Sequence, residues 1–162
     1  WESDEADLMI ILDFEDASDT LIRTALPKLT MLRLAAPDHP LAQLDSIKGD
    51  QLGAYMELVV RDSSPRHARS PKRGFGNAQH LTWLSDFHSK RLALLAGAGH
   101  GWMPLQLVED DLHHGRLIQI HTSEPDEWTY SPELVHRKDR PLGRAGQRFV
   151  EILLASIKNS DD

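Results

Sequence analysis

The stretch Ala96-Gly97-Ala98-Gly99-His100-Gly101-Trp102-Met103-Pro104, running on through Leu107-Val108-Glu109-Asp110-Asp111-Leu112 to Gly115-Arg116-Leu117-Ile118, decides the fold class. Upstream of it, Ser85 or Asp86 caps a helix whose apolar residues Phe87, Leu92, Leu94, Leu95 and Ala96 end at Gly97, a residue free to take the left-handed turn that stops a helix. Trp102 and Met103 lead to Pro104, which suits the first position of a following helix. That helix carries Leu105, Val108 and Leu112 at spacings of three and four, and Gly115 ends it. Leu117 to Ile120 then reads as a strand. Helices followed by a strand here, with strands alternating with helices along most of the chain, predict an α/β architecture.

The same grammar extends outward. His80 to Leu84 and Met56 to Val60 read as strands, and a short helix is expected near Asp50. Between those strands, Arg61 to Gln79 holds two prolines, two glycines, four arginines and a lysine with almost nothing to bury, so a loop is expected there. Toward the amino end, Leu21 to Ala25 and Thr30 to Ala35 are strand candidates. Ala6 to Leu12, a nearly continuous apolar run between acidic residues, predicts a strand covered on both faces in a parallel sheet. Toward the carboxyl end, Glu133 to Arg137 is the last strand, and Gly143 to Lys158 is an amphipathic helix with Phe149, Val150, Leu153, Leu154 and Ile157 on one face.

Composition narrows the function. With 162 residues, 40% of them apolar and 27% charged, the chain can bury a core. A formal charge of -7 opposes adhesion to nucleic acid, whose phosphates demand clustered Lys and Arg. The absence of cysteine excludes disulfides and thiolate metal sites and fits a cytoplasmic, reducing setting. No apolar run approaches the ~20 residues of a membrane helix, and the acidic start Trp1-Glu2-Ser3-Asp4-Glu5 is unlike a signal peptide. A start at Trp1 reads as a trimmed or processed chain.

Several chemistries fail on spacing. Gly97, Gly99 and Gly101 do not make a dinucleotide fingerprint, since its third glycine falls on Trp102 and the run follows a helix. His113 and His114 diverge on a helix and no His-x-x-x-His pair shares a face with a carboxylate, so no metal site and no cofactor are expected. Ser89, His100 and Asp110 lie in no nucleophile elbow, and no enzyme activity is expected. Arg66, Arg69, Lys72 and Arg73 read as a solvated loop before they read as a docking patch.

Four segments in order resemble one family. Glu5-Ala6-Asp7-Leu8-Met9-Ile10, Ala35-Ala36-Pro37-Asp38-His39-Pro40-Leu41-Ala42, the opening Ala96 to Ile118 stretch, and Arg140-Pro141-Leu142-Gly143 are similar to LysR-type transcriptional regulators in their effector-binding domain. The resemblance spans residue 5 to residue 154 or so. It implies two Rossmann-like lobes, as in type 2 periplasmic binding proteins, with a small effector in the cleft between them. Residues 1–36 would form a partial lobe I, 37–136 lobe II, and 137–162 the return to lobe I, with Ala36, Pro37 and Arg137 as hinges. It further implies a truncated amino end, a homo-oligomer, no membrane, and contact with DNA only through a winged helix-turn-helix upstream of this chain. The alternative from another class is a periplasmic solute-binding protein feeding a transporter.

In open α/β sheets ligands sit beyond the carboxyl ends of strands, and that rule selects the candidate site. In the loop Arg61-Asp62-Ser63-Ser64, Arg61 could pair with an anionic effector while the serine hydroxyls and the loop amides hydrogen-bond to it, the competing reading being a solvated turn. Ser85 and Asp86 are better explained as helix caps. Trp102, Met103 and Pro104 line an apolar wall or belong to the core. Phe14, on the lobe I side, reads as scaffold before contact.

Overall fold

A computed structural model describes residues 6–11, 19–61, 79–123 and 127–158. The chain divides into two compact units, one formed by Trp1–Leu29 with Thr129–Asp162 and the other by Thr30–Trp128. The division falls one residue into the strand Leu29–Ala35 that leads to Ala36 and Pro37, and Arg137 lies inside the returning segment, which begins at Thr129. Residues 30–36 lie in the second of these units.

The first unit holds strands β1 (Met9–Ile11), β2 (Leu21–Ala25) and β9 (Glu133–Arg137) with helix α4 (Arg144–Lys158). β9 is central, in the order β1-β9-β2, and both pairings are antiparallel. This corrects the reading of Ala6 to Leu12 as a parallel strand buried on both faces. β1 has one described strand neighbour and leaves Ile10 55% exposed, while Ile11 faces inward. An apolar run records hydrophobicity and not strand direction, so run length alone could not separate the two cases. Arg23 of β2 donates to Glu133 of β9 at 2.9 Å across the pair. On α4, Val150, Leu153, Leu154 and Ile157 are half-buried, but Phe149, expected on the same face, is exposed.

The second unit is a mixed sheet in the order β5 (His80–Leu84), β4 (Met56–Val60), β6 (His100–Pro104), β3 (Leu29–Ala35) and β7 (Ile118–Gln119), with β8 (Glu127–Tyr130) also paired to β3. β4 runs parallel to β5 and β6, whereas β3 is antiparallel to β6 and to β7. The register Leu32 to Met103, Leu34 to Gly101 and Ala35 to His100 sorts the side chains onto two faces. On one face Leu32, Leu34, Leu58 and Met103 pack with Leu94 of helix α2 (Phe87–Leu95), Val108 and Leu117. On the other, Ala35 packs with Leu41, Ile47, Ile120 and Leu52 of helix α1 (Gly49–Gly53). β3 is therefore covered on both sides, and its last five residues are all buried.

The expected helix after Pro104 is broken. Pro104 is extended, ends β6 opposite Met31, and leads into a 3-10 turn, Leu105–Leu107, before helix α3 (Glu109–His113). Pairing with Met31 on β3 holds Pro104 extended, so the helix begins beyond it, after the 3-10 turn. Both glycine stops form as expected. Gly97 (φ 70°) and Gly115 (φ 64°) are left-handed, and each closes a six-residue hydrogen-bonded motif: Ala98 N–H to the Ala93 carbonyl, and Arg116 N–H to the Asp111 carbonyl.

Candidate functional site

Because β4, β5 and β6 are parallel, their carboxyl ends share one edge of the second unit, and antiparallel β3 begins at that edge. The edge gathers Val60 and Arg61, Leu84 to Asp86, and Trp102 to Pro104. Arg61 is exposed, with its backbone N–H donating to the Leu84 carbonyl at 3.0 Å, so the chain leaves β4 in a fixed direction with its guanidinium in solvent. Asp62, Ser63, Ser64 and Phe14 lie outside the described residues.

Ser85 and Asp86 act as caps. The Asp86 carboxylate accepts from the Ser89 N–H at 2.7 Å and from the Ser85 hydroxyl at 2.7 Å. Those two bonds, the backbone one first, hold its carboxyl below the usual range. Asp86→Ala is expected to fray the first turn of α2, seen as several-fold faster amide exchange at Ser89, while Asp86→Asn, which keeps an acceptor, leaves it nearly unchanged.

The apolar wall resolves into different parts. Met103 is wholly buried in the sheet core and Pro104 is buried at the strand end. Trp102 is half-buried, and the Arg33 guanidinium sits over its ring with the carbon 4.6 Å from the centroid. Trp102 is thus the residue of the three that keeps surface at the edge.

Sequence reasoning missed a buried charged cluster behind Trp102. Arg33, Glu57, Lys90 and His100 are each at most 4% exposed. Arg33 and Glu57 approach to 3.6 Å, and Glu57 is in register with His100 on the adjacent strand. Burial raises the Glu57 carboxyl, an effect opposed by Arg33 and Lys90. Burial first, and then Arg33, pushes His100 down to about 3, and burial pushes Lys90 down to about 8 against the pull of Glu57. The signal was present: Arg33 and Glu57 interrupt apolar strands at positions where both neighbours are hydrophobic. A second ionic group fastens α2 to α3. Asp111, fully buried, accepts from Arg91 Nε at 2.5 Å and from Arg116 Nε at 2.8 Å, and Arg116 also binds Asp110. These bonds hold the Asp111 carboxyl below its ordinary range, Arg91 contributing most.

Among the described residues, no group of His, Asp and Glu could hold a metal ion, and no helix is long and apolar enough to cross a membrane.

A family model described as the LysR substrate binding domain matches residues 2–158. Two curated relatives are similar in sequence. The probable HTH-type transcriptional regulator YhaJ of Escherichia coli K12 is 32% identical over 128 residues, 78% of this chain and 43% of that protein. The HTH-type transcriptional regulator CbbR of Cereibacter sphaeroides is 29% identical over 120 residues, 71% of this chain and 38% of that protein. The aligned part is thus about two fifths of the length of these relatives. Among solved structures, the regulatory domain of MetR, a LysR family regulator from N. meningitidis, superposes with a TM-score of 0.69 at 18% identity, covering 91% of this chain and 68% of that one. The regulatory domain of CcmR from Synechocystis, solved in complex with 2-PG, gives 0.66 at 18% identity, covering 98% and 76%. At such identities the likeness is one of fold: the mixed α/β, type 2 periplasmic-binding-like fold of LysR regulatory domains.

Proposed function

The chain belongs to the LysR family, as its substrate-binding domain, and from that membership we propose that it senses a small effector for a bacterial transcriptional regulator. The match over residues 2–158 carries this reading. The relatives named above are HTH-type regulators longer than this chain, so DNA contact is assigned to a helix-turn-helix segment of the full-length protein, working in the cytoplasm as a homo-oligomer. No chemical step is assigned to the domain. Effector binding changes transcription only through a difference in affinity between two states of the protein.

We place the effector at the carboxyl edge of the second unit. Arg61 offers an exposed guanidinium anchored at its backbone, suited to a carboxylate or phosphate, and Trp102 offers an aromatic surface backed by Arg33. Asp62, Ser63 and Ser64 follow Arg61 in sequence, and the two serine hydroxyls and the backbone amides of all three are assigned as donors to the same ligand. The test is calorimetry of the chain against a panel of small carboxylic and phosphorylated acids, repeated with Arg61→Ala. Loss of a charge-assisted pair should weaken the binding acid by about tenfold or more. A ligand bound equally by both proteins would remove Arg61 from the site, and a full-length regulator whose transcription responds to none of the acids that bind would overturn the sensing role.

A further inference from the structure

Two buried histidines meet on the face of the second-unit sheet that carries Ala35. His100 projects from β6 opposite Ala35, and His39 sits in the turn just after β3, their rings 6.4 Å apart at 72°. His39 also meets the Tyr55 ring at 5.2 Å and 63°. Its Nδ1 accepts the Leu41 N–H at 3.2 Å and so caps the 3-10 turn Pro40–Gln43. Only an unprotonated ring nitrogen can accept that bond. His100 is fully buried, and neither of its ring nitrogens has a hydrogen-bond partner of standard geometry among the described residues.

We propose that His39 and His100 form an acid-sensitive latch, holding the Pro40–Gln43 turn and α1 against the sheet only while both rings are uncharged. A proton on His39 Nδ1 removes the lone pair that caps the turn. A proton on His100 sets a new cation in a buried space already facing Arg33 from β3 and Lys90 from α2, with His39 from the turn adding to the repulsion. Glu57 of β4 is the anion alongside, but it already faces Arg33 and Lys90; the Leu52 carbonyl of α1 is the remaining group favouring charge. Asp38 favours charge on His39, though burial outweighs it. The layer the latch retains is Leu41, Ile47 and Leu52, all buried, on Ala35. The opposite core, around Leu34, Leu94 and Met103, contains no histidine.

The sign follows from linkage. Both rings titrate lower when folded than the ordinary 6.5, His100 at about 3, so the unfolded layer binds more protons between these limits. The latch is fully closed above pH 6.5 and weakens as pH falls toward 3.

Hydrogen exchange on the whole 162-residue chain, corrected for intrinsic rates, tests it. Between pH 6.5 and 4.5, amides of Leu41, Leu44, Ile47 and Leu52 should lose protection by on the order of tenfold to a hundredfold more than those of Leu34, Leu94 and Met103. The double variant His39→Asn with His100→Leu, which keeps a capping acceptor and cannot titrate, should abolish the difference. Equal loss on both faces, or the same selective loss in the variant, would overturn the latch. Nitrogen shifts of the wild-type imidazoles decide the matter if the variant does not fold. Both rings neutral at pH 5.5, with His39 Nδ1 bare, support the latch, and either ring titrating near 6.5 refutes it.

Discussion

Glu57→Ala is expected to destabilise the second unit by about 3–5 kcal/mol, the cost of leaving buried charge without its partner. The cluster behind Trp102 holds two cations, Arg33 and Lys90, against one anion, and all three are almost wholly removed from water. Removing the anion leaves two like charges facing each other in a space where neither can be hydrated. Removing one cation acts differently. Lys90 sits on the core-facing side of α2 beside Leu94, and burial has pushed it down to about 8 from an ordinary 10.5. Between those values the unfolded chain binds more protons than the folded one, so wild-type stability should rise as pH climbs from about 8 to above 10. Lys90→Met should flatten that rise and cost little at neutral pH, because Arg33 still faces Glu57. Urea unfolding followed by tryptophan fluorescence is the measurement, since Trp83, Trp102 and Trp128 all belong to the second unit. A loss below about 1 kcal/mol for Glu57→Ala would mean that solvent reaches these charges on mutation.

This cluster marks where sequence reading stopped. Strand positions, the cap at Asp86 and the stops at Gly97 and Gly115 were legible because each rests on local chemistry: alternation, a side-chain acceptor, a left-handed residue. What was not legible depended on partners distant in sequence. The direction of β1 is set by Glu133 to Val135, more than a hundred residues away. Met103 looked like a candidate wall residue, yet its pairing with Leu32 commits it to the core. Arg33 and Glu57 could be seen as charges within apolar strands, but that both point to the side carrying His100 requires the register of β3, β4 and β6. The candidate site is therefore legible as an edge and as a set of loops, whereas the charges behind it emerge only from pairing.

Gly97, Gly99 and Gly101 resemble a phosphate-binding motif superficially, but the structure gives each a mechanical reason, the last two sharing a close approach to the β4 backbone. Gly97 needs its positive φ, and a Cβ on Gly101 would lie 2.6 Å from the Leu58 carbonyl oxygen of β4 and 2.8 Å from Lys90 Cε. Gly99 is the most constrained: a Cβ there would lie 2.3 Å from the Met56 carbonyl oxygen and 3.2 Å from its carbon, both backbone atoms of β4. A side chain can swing away from such a clash, but a strand cannot move without loosening its neighbours. Met56 pairs with His80 on β5, while the next residue, Glu57, is in register with His100 on β6, so any shift at Met56 strains two strand pairings at once. Gly99→Ala is therefore expected to cost about 3 kcal/mol, the upper part of the range for overpacking, whereas Gly49→Ala, with nothing within 4 Å of the added carbon, should change stability little. The same fluorescence-detected urea curves compare the two. Because the strain falls where β4 meets β6, Gly99→Ala should also disturb the charges these strands carry, and its fluorescence near Trp102 should change before unfolding begins. A Gly99→Ala protein as stable as wild type would show that β4 and β6 are not held at this separation, and the alignment of Glu57 with His100 would lose its support.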